Sequence, residues 1–182
     1  LTPGAAHELG LNAGTPVALG DKANVRKTGA VSWTKVDSDN SNAALAGSEW
    51  TITGPGVPAG TVVTDCVTAT CGTGAFDDQD PAPAAFRIVG LAWGSYSFVE
   101  SKAPQGYEGG GAFDLVVNAA NAGTTVDMGN QPNSRKKGSV SWTKTDADGN
   151  TLGGSEWTLD GPGVPAGPDV VGGGEATCAV GQ

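Results

Sequence analysis

Histidine occurs once in the 182 residues, at His7, with no partner at ligand spacing, which argues against a metal site. Residues 25–133 contain none at all, so an enzyme pocket built on imidazoles has none to draw on there. Basic residues are also scarce. Ten Lys and Arg stand against nineteen Asp and Glu, a net charge of −9, which leaves no basic surface for nucleic acid or for an anionic membrane. Long apolar runs are missing, so nothing inserts into a bilayer, and no signal peptide opens the chain. The sequence starts abruptly at Leu1 and stops abruptly at Gln182, and it reads as part of something longer. Apolar residues at helical spacing are missing too.

What is present is glycine and proline, 30 and 11 of them, punctuating short runs rich in Val, Thr, Trp, Tyr and Phe. That pattern predicts an all-β sandwich or barrel. Strands are expected at about 29–36, 48–53, 61–68, 85–89, 95–100, 112–117 and 124–130. Asp37-Ser38-Asp39-Asn40-Ser41-Asn42 reads as a polar turn. A calcium loop is the alternative there, but the closing glutamate and the spacing of an EF-hand loop are absent. Phe76-Asp77-Asp78-Gln79-Asp80-Pro81 reads as a solvated acidic loop. Cys66 and Cys71 stand close enough to staple a turn, leaving Cys178 over; the alternative is three reduced thiols in a cytosolic protein.

The chain repeats itself. A shift that carries Lys35 onto Lys144 brings Ala30-Val31-Ser32-Trp33-Thr34-Lys35-Val36-Asp37 over Ser139-Val140-Ser141-Trp142-Thr143-Lys144-Thr145-Asp146. The same shift lays Asn24, Arg26 and Lys27 over Asn133, Arg135 and Lys136, and Asp21 over Asn130. Farther on, Gly47-Ser48-Glu49-Trp50 matches Gly154-Ser155-Glu156-Trp157, and the run Gly54–Gly60 recurs unchanged at 161–167. Residues 1–24 are therefore expected to end one repeat, 25–133 to form a complete one, and 134–182 to open a third. The linkers Asn24–Thr28 and Asn133–Lys137 are short and carry no Gly or Ser tract, so the repeats are expected to stand in a stiff row as a tandem array.

Within the complete repeat, three polar residues fall on the apolar face of their strands. Lys35 shares parity with Val31 and Trp33, Glu100 with Tyr96 and Phe98, and Asn130 with Val126 and Met128. Each has a bland explanation alone: snorkelling, a strand end, a turn before Pro132. Together they suggest a buried cluster, the more so because the lysine and its in-phase neighbours recur around Lys144. Burial disfavours charge, so the amine tends to neutrality and the carboxyl tends to keep its proton. A neutral amine held against a polarised carboxamide is placed to attack it, and loss of ammonia leaves an isopeptide bond. This is self-modification in a single event, and it needs no cofactor.

Those residues also carry a family resemblance. Tyr96-Ser97-Phe98-Val99-Glu100-Ser101-Lys102-Ala103-Pro104-Gln105-Gly106-Tyr107 resembles the "Y-x-L-x-E-T-x-A-P-x-G-Y" segment of CnaB-type, prealbumin-like domains, which build stalks and pilins on Gram-positive surfaces. Gly90-Leu91-Ala92-Trp93-Gly94 resembles the family's "G-L-P-x-G" turn, Lys35-Val36-Asp37 its "K-x-D" strand, and Gly47–Trp50 its "G-A-E-F/W". The resemblance implies an immunoglobulin- or prealbumin-like β-sandwich, with Lys35 and Asn130 as the bonded pair and Glu100 as the catalytic acid. Asp21 would be the acceptor of the preceding repeat, and Lys144 would stay unreacted. The implied role is a structural stalk module, extracellular and wall-attached, with neighbouring repeats of its own chain as partners. The alternative is a module binding a host matrix protein or glycan, for which Trp50, Trp93, Tyr107 and Phe113 would have to form an exposed platform rather than core and turn contacts.

Overall fold

The computed structural model describes residues 20–21, 23–161 and 169–171. The chain falls into two compact units, Leu1–Lys136 and Lys137–Gln182. The first unit holds eight strands: β1 (Gly29–Asp37), β2 (Ala43–Ala44), β3 (Glu49–Thr53), β4 (Val62–Thr64), β5 (Ala85–Leu91), β6 (Gly94–Lys102), β7 (Ala112–Val117) and β8 (Thr125–Asn133). One sheet is built on β1, antiparallel to β2 and β5 and parallel to β8. The other runs β4-β3-β6-β7, antiparallel throughout.

Alternation makes this a sandwich. Val31, Trp33 and Lys35 of β1, Trp50 and Ile52 of β3, Phe86 and Ile88 of β5, and Tyr96, Phe98 and Glu100 of β6 all turn inward. Their outward neighbours are mostly small or polar, so each sheet has one face for the core. Aromatic rings fill the middle. Trp33 stacks on Phe86 with centroids 4.7 Å apart and meets Trp50 edge-on at 5.4 Å. Such pairs add to what burial of their area contributes.

Two departures from the expected strands matter for function. β8 does not stop at residue 130. Between the pairs Ser32–Asp127 and Thr34–Asn130, one residue of β1, Trp33, faces two of β8, Met128 and Gly129. Gly129 takes the left-handed conformation, φ 68°, that a bulge asks of its glycine, and its N–H donates to Asp127 Oδ1. One extra residue inverts the faces. Val126 and Met128 lean inward before the bulge, whereas Gln131 and Asn133 do so after it.

The second departure lies around the acidic loop. β4 ends at Thr64 because Asp65 turns in, where it accepts the amides of Gly47 and Ala84. A disulfide joins Cys66 to Cys71. The 76–81 segment is a loop, but its centre is not solvated: Asp78 is buried and takes the amides of Cys66, Asp80 and Arg87. Burial pushes its carboxyl above the usual range, although those three bonds oppose the shift.

In the second unit, β9 (Glu156–Thr158) pairs antiparallel with β10 (Asp169–Val171). The octet Ser139–Asp146 forms no strand. Its counterpart β1 is paired on both sides, whereas here Thr145 makes one bridge, to Thr151, across a turn closed by Asp146 and Asn150. Val140 and Trp142 are exposed accordingly.

Candidate functional site

Lys35 sits two positions beyond Trp33 on β1, so the alternation that buries the tryptophan also buries the lysine. Its side chain is fully enclosed, as is that of Glu100. The Lys35 Nζ lies 3.3 Å from Glu100 Oε1 and donates to Asn133 Oδ1 at 2.5 Å. Asn133 Nδ2 in turn donates to Glu100 Oε1 at 3.0 Å. Amine, carboxyl and carboxamide therefore touch one another pairwise, between the two sheets at the end of β8, on three different strands.

Each member is held from behind. The other carboxylate oxygen of Glu100 accepts the amides of Gly110 at 3.1 Å and Gly111 at 3.5 Å. Gly111 has to be glycine, since a Cβ there would stand 2.8 Å from the ring of Trp50. That ring also walls the site, 5.7 Å from the lysine nitrogen, and its own N–H is tied to Ser48. The backbone carbonyl of Asn133 accepts both the amide and the hydroxyl of Ser38 at 3.0 Å. Loss of solvation is the largest influence on Lys35 and pulls it below the ordinary lysine range; Glu100 opposes this in part. Beside Asn133, residues 108–112 and 131–134 line an open cleft of about 370 Å³.

The third member of the cluster is Asn133, not the expected Asn130. Asn130 is exposed and opposite Thr34, on the outward side of the bulge, and Asn133 occupies the place assigned to it. Two signals in the sequence pointed to Asn133. A glycine inside a strand is a bulge signal. The internal repeat also lays Asn24 over Asn133, an identity, while it lays Asp21 over Asn130. Asn133 is likewise part of β8 rather than of a linker.

Asp21 and Lys144 are exposed and lie outside strands. His7 and Cys178 fall outside the described residues. Of the aromatic residues weighed as a platform, Trp50 is core and Phe113 packs against it. Trp93 donates its ring N–H to Lys27 O and lies beneath the guanidinium of Arg26. Tyr107 donates its hydroxyl to Asp37.

Residues 29–132 match the family model described as SpaA, prealbumin-like fold domain, and the chain belongs to that family. Among solved structures, the chain is similar to the TIE protein of Bacillus anthracis at 18% identity over 60% of this chain and 17% of that one, TM-score 0.44. It is similar to GBS52, the minor pilin of Streptococcus agalactiae, at 19% identity over 66% and 50%, TM-score 0.44. BcpA, the major pilin subunit of Bacillus cereus, gives 26% identity over 60% and 29%, TM-score 0.40. The chain thus spans half or less of the length of these three structures. No curated protein matches it.

Proposed function

We propose that the first unit is a structural stalk module of a Gram-positive surface or pilus-like protein, closed by a self-formed isopeptide bond between Lys35 and Asn133. The observation that carries this reading is the mutual contact of Lys35, Glu100 and Asn133, all three buried. In the reaction, the Lys35 ammonium passes a proton to Glu100 across their 3.3 Å contact. The neutral amine attacks the side-chain carbonyl carbon of Asn133, and the new C–N bond forms as the bond to Nδ2 breaks. Glu100 takes a second proton from the attacking nitrogen and delivers one to Nδ2, which its Oε1 already touches. The products are one amide and one ammonia, and Glu100 is left holding the one remaining proton, which it passes to the departing ammonia to regain its carboxylate. The polar cleft at 108–112 and 131–134 offers the ammonia a way out. The reactants are held in place by the fold, and such orientation is worth several kcal/mol of a barrier, roughly 7–11 in well-oriented systems.

The mechanical consequence follows from topology. Lys35 is on the first strand and Asn133 closes the last, 98 residues away. Tension arriving through the leading linker would travel along residues 29–35, cross the bond and leave at residue 133, bypassing everything between residues 36 and 132. On the loop-entropy estimate for a disulfide of similar span, the bond would also stabilise the fold by roughly 5 kcal/mol. A module of this kind needs no substrate and turns nothing over. Its partners would be neighbouring repeats of its own chain, and its place would be outside the cell, attached to the wall.

Intact mass tests the reading. Under denaturing and reducing conditions, the purified chain is expected to weigh less than its sequence by one ammonia. A full sequence mass would contradict it.

A further inference from the structure

We propose that Asp37, Tyr107 and Arg135 form a latch that positions Asn133 for attack by Lys35; this rests on the reading of the Lys35–Glu100–Asn133 site given above. The need for such a device arises from where Asn133 stands. It is the last residue of β8, a strand that pairs only with β1 among the described strands and that is already interrupted by the bulge at Gly129. Its predecessor Pro132 has no N–H to give to the ladder. Strand ends of this kind open locally at low cost. An asparagine that swings out with the strand end is lost to the lysine.

The residues just beyond Asn133 are gripped from two sides. Arg135 donates from Nε at 3.0 Å and Nη2 at 2.8 Å to one oxygen of Asp37. The Tyr107 hydroxyl donates to the same oxygen at 2.9 Å. The Arg135 amide donates to Asp39 Oδ2 at 2.7 Å. From the other side, the loop after β6 pairs with the same segment: Tyr107 bridges Arg135, Glu108 N donates to Ser134 O, and Lys136 N donates to Gly106 O. Asp37 is buried and lies two residues from Lys35 on β1, while Arg135 lies two residues from Asn133. The latch therefore ties the strand bearing the nucleophile to the segment bearing the carboxamide. Burial alone would raise the Asp37 carboxyl, but the bonds from Arg135, Tyr107 and the Asp39 amide outweigh it and hold it below the usual range. Both halves of the ion pair also recur in the repeat, Arg26 over Arg135 and Asp146 over Asp37.

The experiment is a time course. The 182-residue chain is synthesised in a short cell-free pulse, chased, and sampled for intact mass. Arg135→Ala is expected to slow the loss of ammonia at least about tenfold, because a displacement of an ångström or so is enough to cost that much. Tyr107→Phe is expected to slow it less, and Arg135→Lys to restore part of the rate, since a lysine keeps the charge without the two-point grip. A second measurement uses the Lys35→Met background, in which no bond can form. There Arg135→Ala should raise amide exchange at residues 131–136 while leaving β3 and β6 protected. Equal rates in the parent chain and in Arg135→Ala overturn the latch and leave the reading of the site standing. A slow Arg135→Ala that Arg135→Lys does not improve, with protection lost throughout the sandwich, also overturns it, by making the role one of general stability. A parent chain that never loses ammonia overturns both.

Discussion

Glu100→Ala is expected to leave the chain at its full sequence mass. In the proposed reaction Glu100 is the group that takes a proton from the lysine and hands one to the departing nitrogen, and nothing else within reach of Lys35 Nζ is anionic among the contacts that side chain makes. Two stability losses follow. The chain is no longer closed covalently, which forfeits roughly 5 kcal/mol on the loop-entropy estimate. The lysine is left buried opposite an apolar methyl, and breaking a buried pair in this way typically costs about 3–5 kcal/mol. The two overlap and do not simply add, but denaturant melts of the variant should show a loss of at least about 5 kcal/mol. Glu100→Gln separates shape from chemistry: it should fold better than the alanine variant and still lose no ammonia. Bond formation at the parent's speed in either variant would remove Glu100 from the mechanism.

The same site sets a pH dependence. Lys35 has its folded pKa lowered from 10.5, chiefly by burial. Below that folded value the neutral amine is the minor form, so bond formation should quicken as pH rises and level off once the folded pKa is passed. Stability of the unreacted chain moves the same way. Between the lowered pKa and 10.5 the unfolded chain holds the extra proton, so the folded state gains with rising pH over that window and nothing further above it.

Asp78→Ala is the second large effect, in a place remote from the chemistry. One carboxylate ties Cys66, Asp80 and Arg87 together, joining the start of the disulfide loop to β5. Removing it leaves amides at a buried position without acceptors, each worth about 1–3 kcal/mol. A loss of about 3 kcal/mol, or a fall in melting temperature on the order of 10 °C, is the expected outcome. Bond formation should survive, because β1, β6 and β8 do not depend on that loop. A melting temperature shifted by no more than about 1 °C would mean the segment is as solvated as its composition suggests.

Composition was the misleading guide there. Six residues with three aspartates look like a surface, and nothing in the one-dimensional pattern says that the middle one is bonded to three backbone amides. Period-two alternation did far better. It placed Val31, Trp33 and Lys35 inward together, and Tyr96, Phe98 and Glu100 likewise, because those strands run without interruption. It failed on β8 for a reason that is local and physical. Gly129 inserts one extra residue, the faces exchange, and a parity count carried across it lands on Asn130 instead of Asn133. The octet at Ser139 failed differently. Its residues have the strand pattern, but a strand is stabilised by partners along its edges, and among the described residues the octet has only the single bridge from Thr145 to Thr151.

Peptide mapping tests the central claim most directly. After reduction and digestion, fragmentation of the chain should reveal one branched species in which the side chain of Lys35 is joined to that of Asn133, and Asn133→Ala should abolish it while Asn130→Ala leaves it intact. A linear peptide carrying Lys35 with a free ε-amine, or a branch ending at Asn130, would contradict the account.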